Sequence, residues 1–337
     1  MSAHVLVARL DNEGDVLLAG PAIRAVAAGA RRVTLLCGPR GRQAAALLPG
    51  VDDVMVRAAP WIDPRPEPVD RASIDAFVDE LAAGGFDEAI VLTSFHQSPL
   101  PLALLLRMAG VPRIGATSVD YPGSLLDVRH RIDDDVHEVQ RSLSLVAALG
   151  HALPAGDDGA LRVRRPGAAP AGRGYVVVHP GASVPARAWA PERNAELVAA
   201  LAADGRRVVV TGAPAERALT ARVAGAHGVD LGGRTDFAGL ADVLAGADCV
   251  VVGNTGPAHL AAAVGTPVVS LYAPTVPAVR WRPWRVPHVL LHVDVPCAGC
   301  RARDCPVPGH PCLGGVRVED VVAAVGRFAP LREVAAA

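Results

Sequence analysis

The chain has 337 residues, 51% of them hydrophobic and 20% charged, and its formal net charge is -1. That length accommodates two domains with separate cores, and the composition is that of a globular chain, not a disordered one. With no basic excess and no nucleic-acid-binding motif, nucleic acid is excluded as a partner class; with short, Gly-interrupted apolar runs and no leader-like start, a cytoplasmic protein without a transmembrane segment is expected.

Apolar strand candidates at residues 5–10, 32–37, 53–57, 89–93 and 113–115 alternate with helical stretches at 16–28, 42–48, 72–83 and 100–108, and a longer helix is predicted over 133–149. The order predicts a parallel, doubly wound sheet. Pro and Gly accumulate between charges over residues 151–173, which reads as a linker after an N-terminal domain at 1–150. A second alternating series follows, with strands at 175–179, 207–211, 229–231, 249–252 and 268–271 and helices at 191–202, 215–224, 237–244 and 257–264. The expectation is an α/β chain of two Rossmann-like domains facing a cleft. The second domain spans 174–316, and a terminal helical segment at 317–337 packs near the hinge.

Two strand-to-helix junctions carry most of the chemistry. At Val250-Val251-Val252-Gly253-Asn254-Thr255-Gly256-Pro257-Ala258-His259, a β-branched run ends in a polar turn and an Ala-rich helix begins. Such a helix N-terminus offers donors and a positive dipole to an anion such as a diphosphate. A P-loop is excluded, because Gly-x4-Gly-Lys-Ser/Thr is absent and all 33 basic residues counted as Lys or Arg are Arg. Near the N-terminus, Asp15 stands in the first βα turn, Asp11-Asn12-Glu13-Gly14-Asp15, at a strand's carboxyl end. From spacing alone it is either an N-cap or a general base.

These segments resemble glycosyltransferase family 9, the heptosyltransferase family. The resemblance rests on Arg9-Leu10-(x)3-Gly14-Asp15-Val16-Leu17-Leu18 and on Asn254-Thr255-Gly256-(x)2-His259 with the following Ala-Ala-(x)2-Gly-(x)-Pro-Val-Val. Between them, His179-Pro180-Gly181-Ala182-Ser183 and Arg187-Ala188-Trp189-Ala190-Pro191-Glu192 look like two further family segments. The resemblance implies GT-B architecture and inverting, metal-independent transfer of a heptose or related sugar from an ADP-sugar to an acceptor hydroxyl. It casts Asp15 as general base and Arg187 as the cation on the diphosphate, where a guanidinium fork suits phosphate oxygens. Gly181, Ser183, Thr255, Gly256 and His259 would line the donor site, and Glu216 matches a family position that contacts the donor nucleoside. Where family members usually have Asp, this chain has Asn254, which can hydrogen-bond a sugar hydroxyl without carrying charge.

The acceptor, whether glycan, lipid-linked or a small molecule, is expected near His96 and Gln97, polar groups at the end of strand 89–93. Four cysteines, Cys297, Cys300, Cys305 and Cys312, fall in a loop at 296–312 as Cys-x2-Cys-x4-Cys-x6-Cys. In a cytoplasmic chain this clustering argues for a structural zinc over disulfides, whereas Cys37 and Cys249 read as core. No cofactor is expected for catalysis. The alternative enzyme reading is a nucleotide-sugar 2-epimerase of GT-B architecture; a dinucleotide-dependent oxidoreductase is disfavoured, since the first βα turn lacks Gly-x-Gly-x2-Gly.

Overall fold

A computed structural model describes residues 3–133, 135–165, 167 and 172–330. The chain divides into two compact units, Met1–Arg164 and Arg165–Ala337. In the first, β1 (His4–Arg9), β2 (Arg32–Cys37), β3 (Asp53–Val56), β4 (Glu88–Val91), β5 (Arg113–Thr117) and β6 (Val128–His130) form one sheet. Its order is β3-β2-β1-β4-β5-β6 and every pairing is parallel. Helices cover both faces of such a sheet, so β1 is a continuous buried run and does not alternate. Leu6, Leu36, Phe77, Leu81, Leu102 and Ile114 centre one of its cores.

The first helix begins earlier than its apolar pattern suggests. It runs Glu13–Leu18 and is followed, after Ala19, by a second helix, Gly20–Ala27, in whose first turn Pro21 needs no N–H partner. Asp15 therefore lies inside the first turn, where its Oδ2 accepts from the Asn12 N–H at 3.3 Å. The helix expected over 133–149 runs Glu138–Ala148, because His137 Nδ1 accepts from Val139 N–H and caps its start; residue 134 lies outside the described residues. Short edge strand β6, with Arg129 and His130 in its three residues, had no apolar periodicity to announce it.

The first part of the expected linker is docked on this unit. Arg24 on the second helix grips Asp157 through Nε and Nη2, at 2.7 and 2.9 Å, and Arg164 bonds the carbonyls of Leu47 and Leu48. Residues 166 and 168–171 of the 151–173 segment lie outside the described residues.

The second unit repeats the plan with β7 (Val176–His179), β8 (Val208–Val210), β9 (Val229–Asp230), β10 (Cys249–Gly253), β11 (Val268–Leu271) and β12 (His288–Leu291), ordered β12-β11-β10-β7-β8-β9 and wholly parallel. The helix Val318–Gly326 packs on the helix Pro191–Ala203 and places Val321, Ala324 and Val325 in this unit's core; residues 331–337 lie outside the described residues. Cys249 is fully buried here, as Cys37 is in the first unit, and burial pushes their thiols up to about 12 and about 11. Among the described residues, no helix is long and apolar enough to cross a membrane.

Candidate active site

In an open parallel sheet, ligands bind where the strand order reverses, because the loops leaving two adjacent strands part in opposite directions and open a crevice. In the first unit that point lies between β1 and β4, and in the second between β10 and β7.

At the β1/β4 point, Arg9 ends β1 with its side chain 1% exposed. It donates to Asp15 Oδ1 at 3.2 Å, to Ser94 Oγ at 2.9 Å and to Glu138 Oε2 at 3.3 Å. Asp11 stands 2.9 Å from Arg9 Nε and accepts from Ser94 Oγ and from Gln97 Nε2. Burial, opposed by Arg9, raises the carboxyls of Asp11 and Glu138 above the ordinary range. Asp15 keeps partial exposure, 19% of its side chain, and so offers the accessible carboxylate of the cluster. Gln97 is turned to Asp11 and to Ser94 N–H, while His96 is exposed beside Phe95. Arg9, Asp11 and Glu138 were not foreseen as site residues; an arginine closing an otherwise apolar buried strand was the signal for them.

At the β10/β7 point, the loop after β7 carries Gly181, exposed Ser183 and a short 3-10 turn, Pro185–Arg187. Glu216 lies so close to Gly181 that a β-carbon there would overlap its carboxylate, and Glu216 Oε2 also accepts from Ala213 N–H at 2.8 Å. The carboxylate thus closes a helix start and faces the β7 loop together. His179, buried at the end of β7, meets Thr211 Oγ1 through Nδ1 at 3.0 Å, and burial lowers its proton affinity.

Across β10, the Arg187 carbonyl packs directly on Gly253, where a β-carbon would come within 2.6 Å of it. The Arg187 charge reaches His259, which is pushed down to about 4, first by burial and then by that charge. The imidazole is therefore neutral at ordinary pH, and its Nδ1 and the hydroxyl of Thr255 are buried without a hydrogen-bond partner among the described residues. Thr255 occupies the N-cap position of the helix Gly256–Ala263 without a side-chain cap hydrogen bond. Fewer backbone donors face an anion there than the sequence pattern suggests: Pro257 has none, and the N–H groups of Thr255 and Ala258 bond Gly253 and Thr255 carbonyls. Asn254 is 7% exposed and its amide pairs with the Ala273 backbone twice, donating to its carbonyl and accepting from its N–H, each at 3.2 Å. That side chain ties β10 to the end of β11 before it can serve a ligand.

Cys297, Cys300, Cys305 and Cys312 line one pocket with His310. Among the described residues, however, no three His, Cys, Asp or Glu side chains come together as a metal ligand set, so the four thiols as they stand do not fit a structural zinc. Cys297 and Cys300 face solvent while Cys312 is buried. What this loop does hold is the arginine turn: Ala186 N–H bonds Arg303 O at 2.9 Å, His310 Nε2 bonds Ala186 O at 3.1 Å, and Trp189 Nε1 donates to Leu313 O at 3.1 Å.

Two six-stranded parallel sheets of the same order, each with a polar site at its reversal point, define the GT-B class of α/β protein. Residues 74–310 match the model of glycosyltransferase family 9 (heptosyltransferase), and the chain belongs to that family. It is 36% identical over 174 residues to lipopolysaccharide heptosyltransferase 1 of Pseudomonas aeruginosa, covering 50% of this chain and 48% of that one. The chain spans about half the length of the curated relatives it matches in this way. Among solved structures, a family 9 glycosyltransferase from Veillonella parvula superposes with a TM-score of 0.76 at 16% identity, covering 97% of both chains. The Escherichia coli heptosyltransferase WaaC with ADP gives 0.72 at 22%, covering 97% of this chain and 100% of that one.

Proposed function

We propose that the chain is an inverting, metal-independent glycosyltransferase that moves a heptose or a related sugar from an ADP-sugar to an acceptor hydroxyl. The observation that carries the reading is the make-up of the two reversal-point sites. One presents an accessible carboxylate, Asp15, and the other gathers Arg187, Thr255, neutral His259 and the positive end of the helix Gly256–Ala263. In the transfer, the acceptor hydroxyl gives its proton to Asp15 as its oxygen bonds the anomeric carbon. The bond from that carbon to the diphosphate oxygen breaks on the opposite face, and its electron pair leaves on the diphosphate. Arg187 and the helix dipole stabilise the growing negative charge, so the leaving group needs no divalent cation.

Family membership supports the sugar class, and the WaaC structure, which contains ADP, supports the nucleotide. In this reading Glu216, in the turn Pro214–Glu216 after β8 and against Gly181, accepts from ribose hydroxyls, and Ser183 on the β7 loop contributes to the same donor site. His96 on the exposed loop after β4 is the acceptor contact in this reading, with Gln97 acting through Asp11. The acceptor is a glycan, lipid-linked or small-molecule hydroxyl compound. The action is in the cytoplasm, and no cofactor takes part in the chemistry.

Calorimetric titration with ADP, UDP and GDP, followed by ADP-heptose with an acceptor panel, tests the reading on wild type and Asp15→Asn. Selective ADP binding by both proteins, with transfer lost only in D15N, is the expected result. Preference for UDP, or full transfer by D15N, refutes the donor or the base assignment respectively.

A further inference from the structure

One guanidinium in the first unit serves three carboxylates. Arg9 lies 2.9 Å from Asp11, 3.2 Å from Asp15 and 3.3 Å from Glu138, and the side chains of Asp11 and Glu138 are 6% and 1% exposed. The Arg9 Nε contact with Asp11 is close but misaligned for a hydrogen bond, so that pair is ionic in character. The charged groups that act on the cluster are these four and, from the same helix as Glu138, Arg141; the loop after β4 brings the neutral Ser94 and Gln97. An arginine does not lose its proton, so the cluster carries one fixed positive charge against up to three negative ones.

We infer that Arg9 is a positioning residue for Asp15, and that Asp11 and Glu138 divide its charge so that Asp15 is oriented without being quenched as a proton acceptor. The inference rests on the reading of Asp15 as the base. A buried one-to-one Arg–Asp pair makes a poor base, because protonating the carboxylate strands an unpaired cation away from water. Here the acceptor's proton can move to Asp15 while Arg9 keeps two carboxylate partners, and Asp15 later releases that proton to solvent through its exposed edge. The same geometry makes the sites titrate as one unit. Burial raises Asp11 and Glu138, Arg9 lowers both, and the negative charge of Asp15 raises both again.

The test is a carboxyl-carbon NMR titration of the full chain in wild type, D15N and Arg9→Gln. In D15N the Asp11 and Glu138 carbons titrate at lower pH, by about one unit, since a like charge is gone; in R9Q they titrate higher. If R9Q does not fold, Arg9→Lys replaces it: one ammonium cannot span three carboxylates, so at least one carbon moves up. Carbons that stay put in D15N overturn the coupling. With the substrates of the transfer assay, the pair D11N/E138Q gives Arg9 wholly to Asp15. It lowers kcat/KM about tenfold and moves the acid limb of its pH profile to lower pH, with ADP affinity kept. A wild-type acid limb in that variant overturns the tuning role, whereas full transfer by D15N removes the base reading and leaves the NMR coupling standing.

Discussion

Gly253→Ala puts one methyl group between β10 and the arginine turn. The new β-carbon would sit 2.6 Å from the Arg187 carbonyl oxygen, where ordinary contact begins at 3.4 Å, so the two backbones must part by most of an ångström. The turn has little room to yield. Arg187 N–H bonds Val184 O at 2.9 Å, Ala188 N–H bonds Pro185 O at 3.0 Å, and Ala186 is held on both sides by Arg303 and His310. Overpacking of this size costs about 1–3 kcal/mol of stability, and a misplacement near 1 Å is enough to uncouple a charge from its ligand. The expected result is a folded protein with a lowered melting temperature and an ADP Kd raised about tenfold, some 1.4 kcal/mol, measured by calorimetry. Gly29→Ala is the control, since a β-carbon there meets nothing within 4 Å. Wild-type ADP affinity in folded G253A would show that the 185–187 turn does not address the diphosphate.

Asp157→Asn leaves Arg24 buried without its ionic partner and lowers stability by about 3 kcal/mol, read from denaturant melts at pH 7. The hydrogen bonds from Arg24 hold the Asp157 carboxyl well below the usual carboxylate range, against its burial. Its contribution is therefore fully present above the unfolded value near 4 and is lost as pH falls below that; D157N melts should show a shallower fall from pH 5 to pH 2. His259 also favours its deprotonated form, over a higher pH window: burial first, then Arg187, pushes it down to about 4, against about 6.5 unfolded. Keeping the ring neutral stabilises nothing below that pH, so stability is complete above about 6.5 and falls between 6.5 and 4 by about 3 kcal/mol. His259→Gln removes that limb, and a wild-type ring found protonated at pH 5.5 by NMR contradicts the assignment.

The strands that cross the centre of each sheet were legible because they are continuous β-branched or aliphatic runs: β2 and β11 match their predicted limits, β1 shifts by a residue and β10 is one residue longer. Of the four edge strands, β3 and β9 were legible while β6 and β12 were not: Val-Arg-His in β6 has no apolar pattern, and His-Val-Leu-Leu in β12 is apolar but too short to tell from a loop. For the sites, spacing placed Asp15, Glu216 and Thr255 after strands; the sheet order puts the loops of Asp15 and Thr255 at the two reversal points, and Glu216, from the loop after β8, reaches the second through Gly181. Partnership across the sheet stayed invisible. Glu138 lies 129 residues from Arg9 and inside an unrelated helix, and nothing local in Glu-Val-Gln-Arg marks it as a buried ion-pair partner. The cysteine spacing pointed to zinc because spacing constrains only loop length; where the thiols face depends on the hydrogen bonds that pull this loop onto residues 186 and 189.

The same distinction explains Asn254. Judged by motif, it is a lost charge at the sugar. In the fold its amide meets both the N–H and the carbonyl of Ala273, and only a group that donates and accepts can do that. An aspartate in this place would set a carboxylate oxygen against the Ala273 carbonyl at 7% exposure, a repulsion that burial strengthens. It would also put a negative charge beside the start of the helix Gly256–Ala263, where the dipole and Arg187 supply the positive field. With asparagine, β10 and β11 are joined and residue 254 sets no charge against that field; at the proposed diphosphate site, the departure from the family pattern favours the anion at the expense of a carboxylate contact to the sugar.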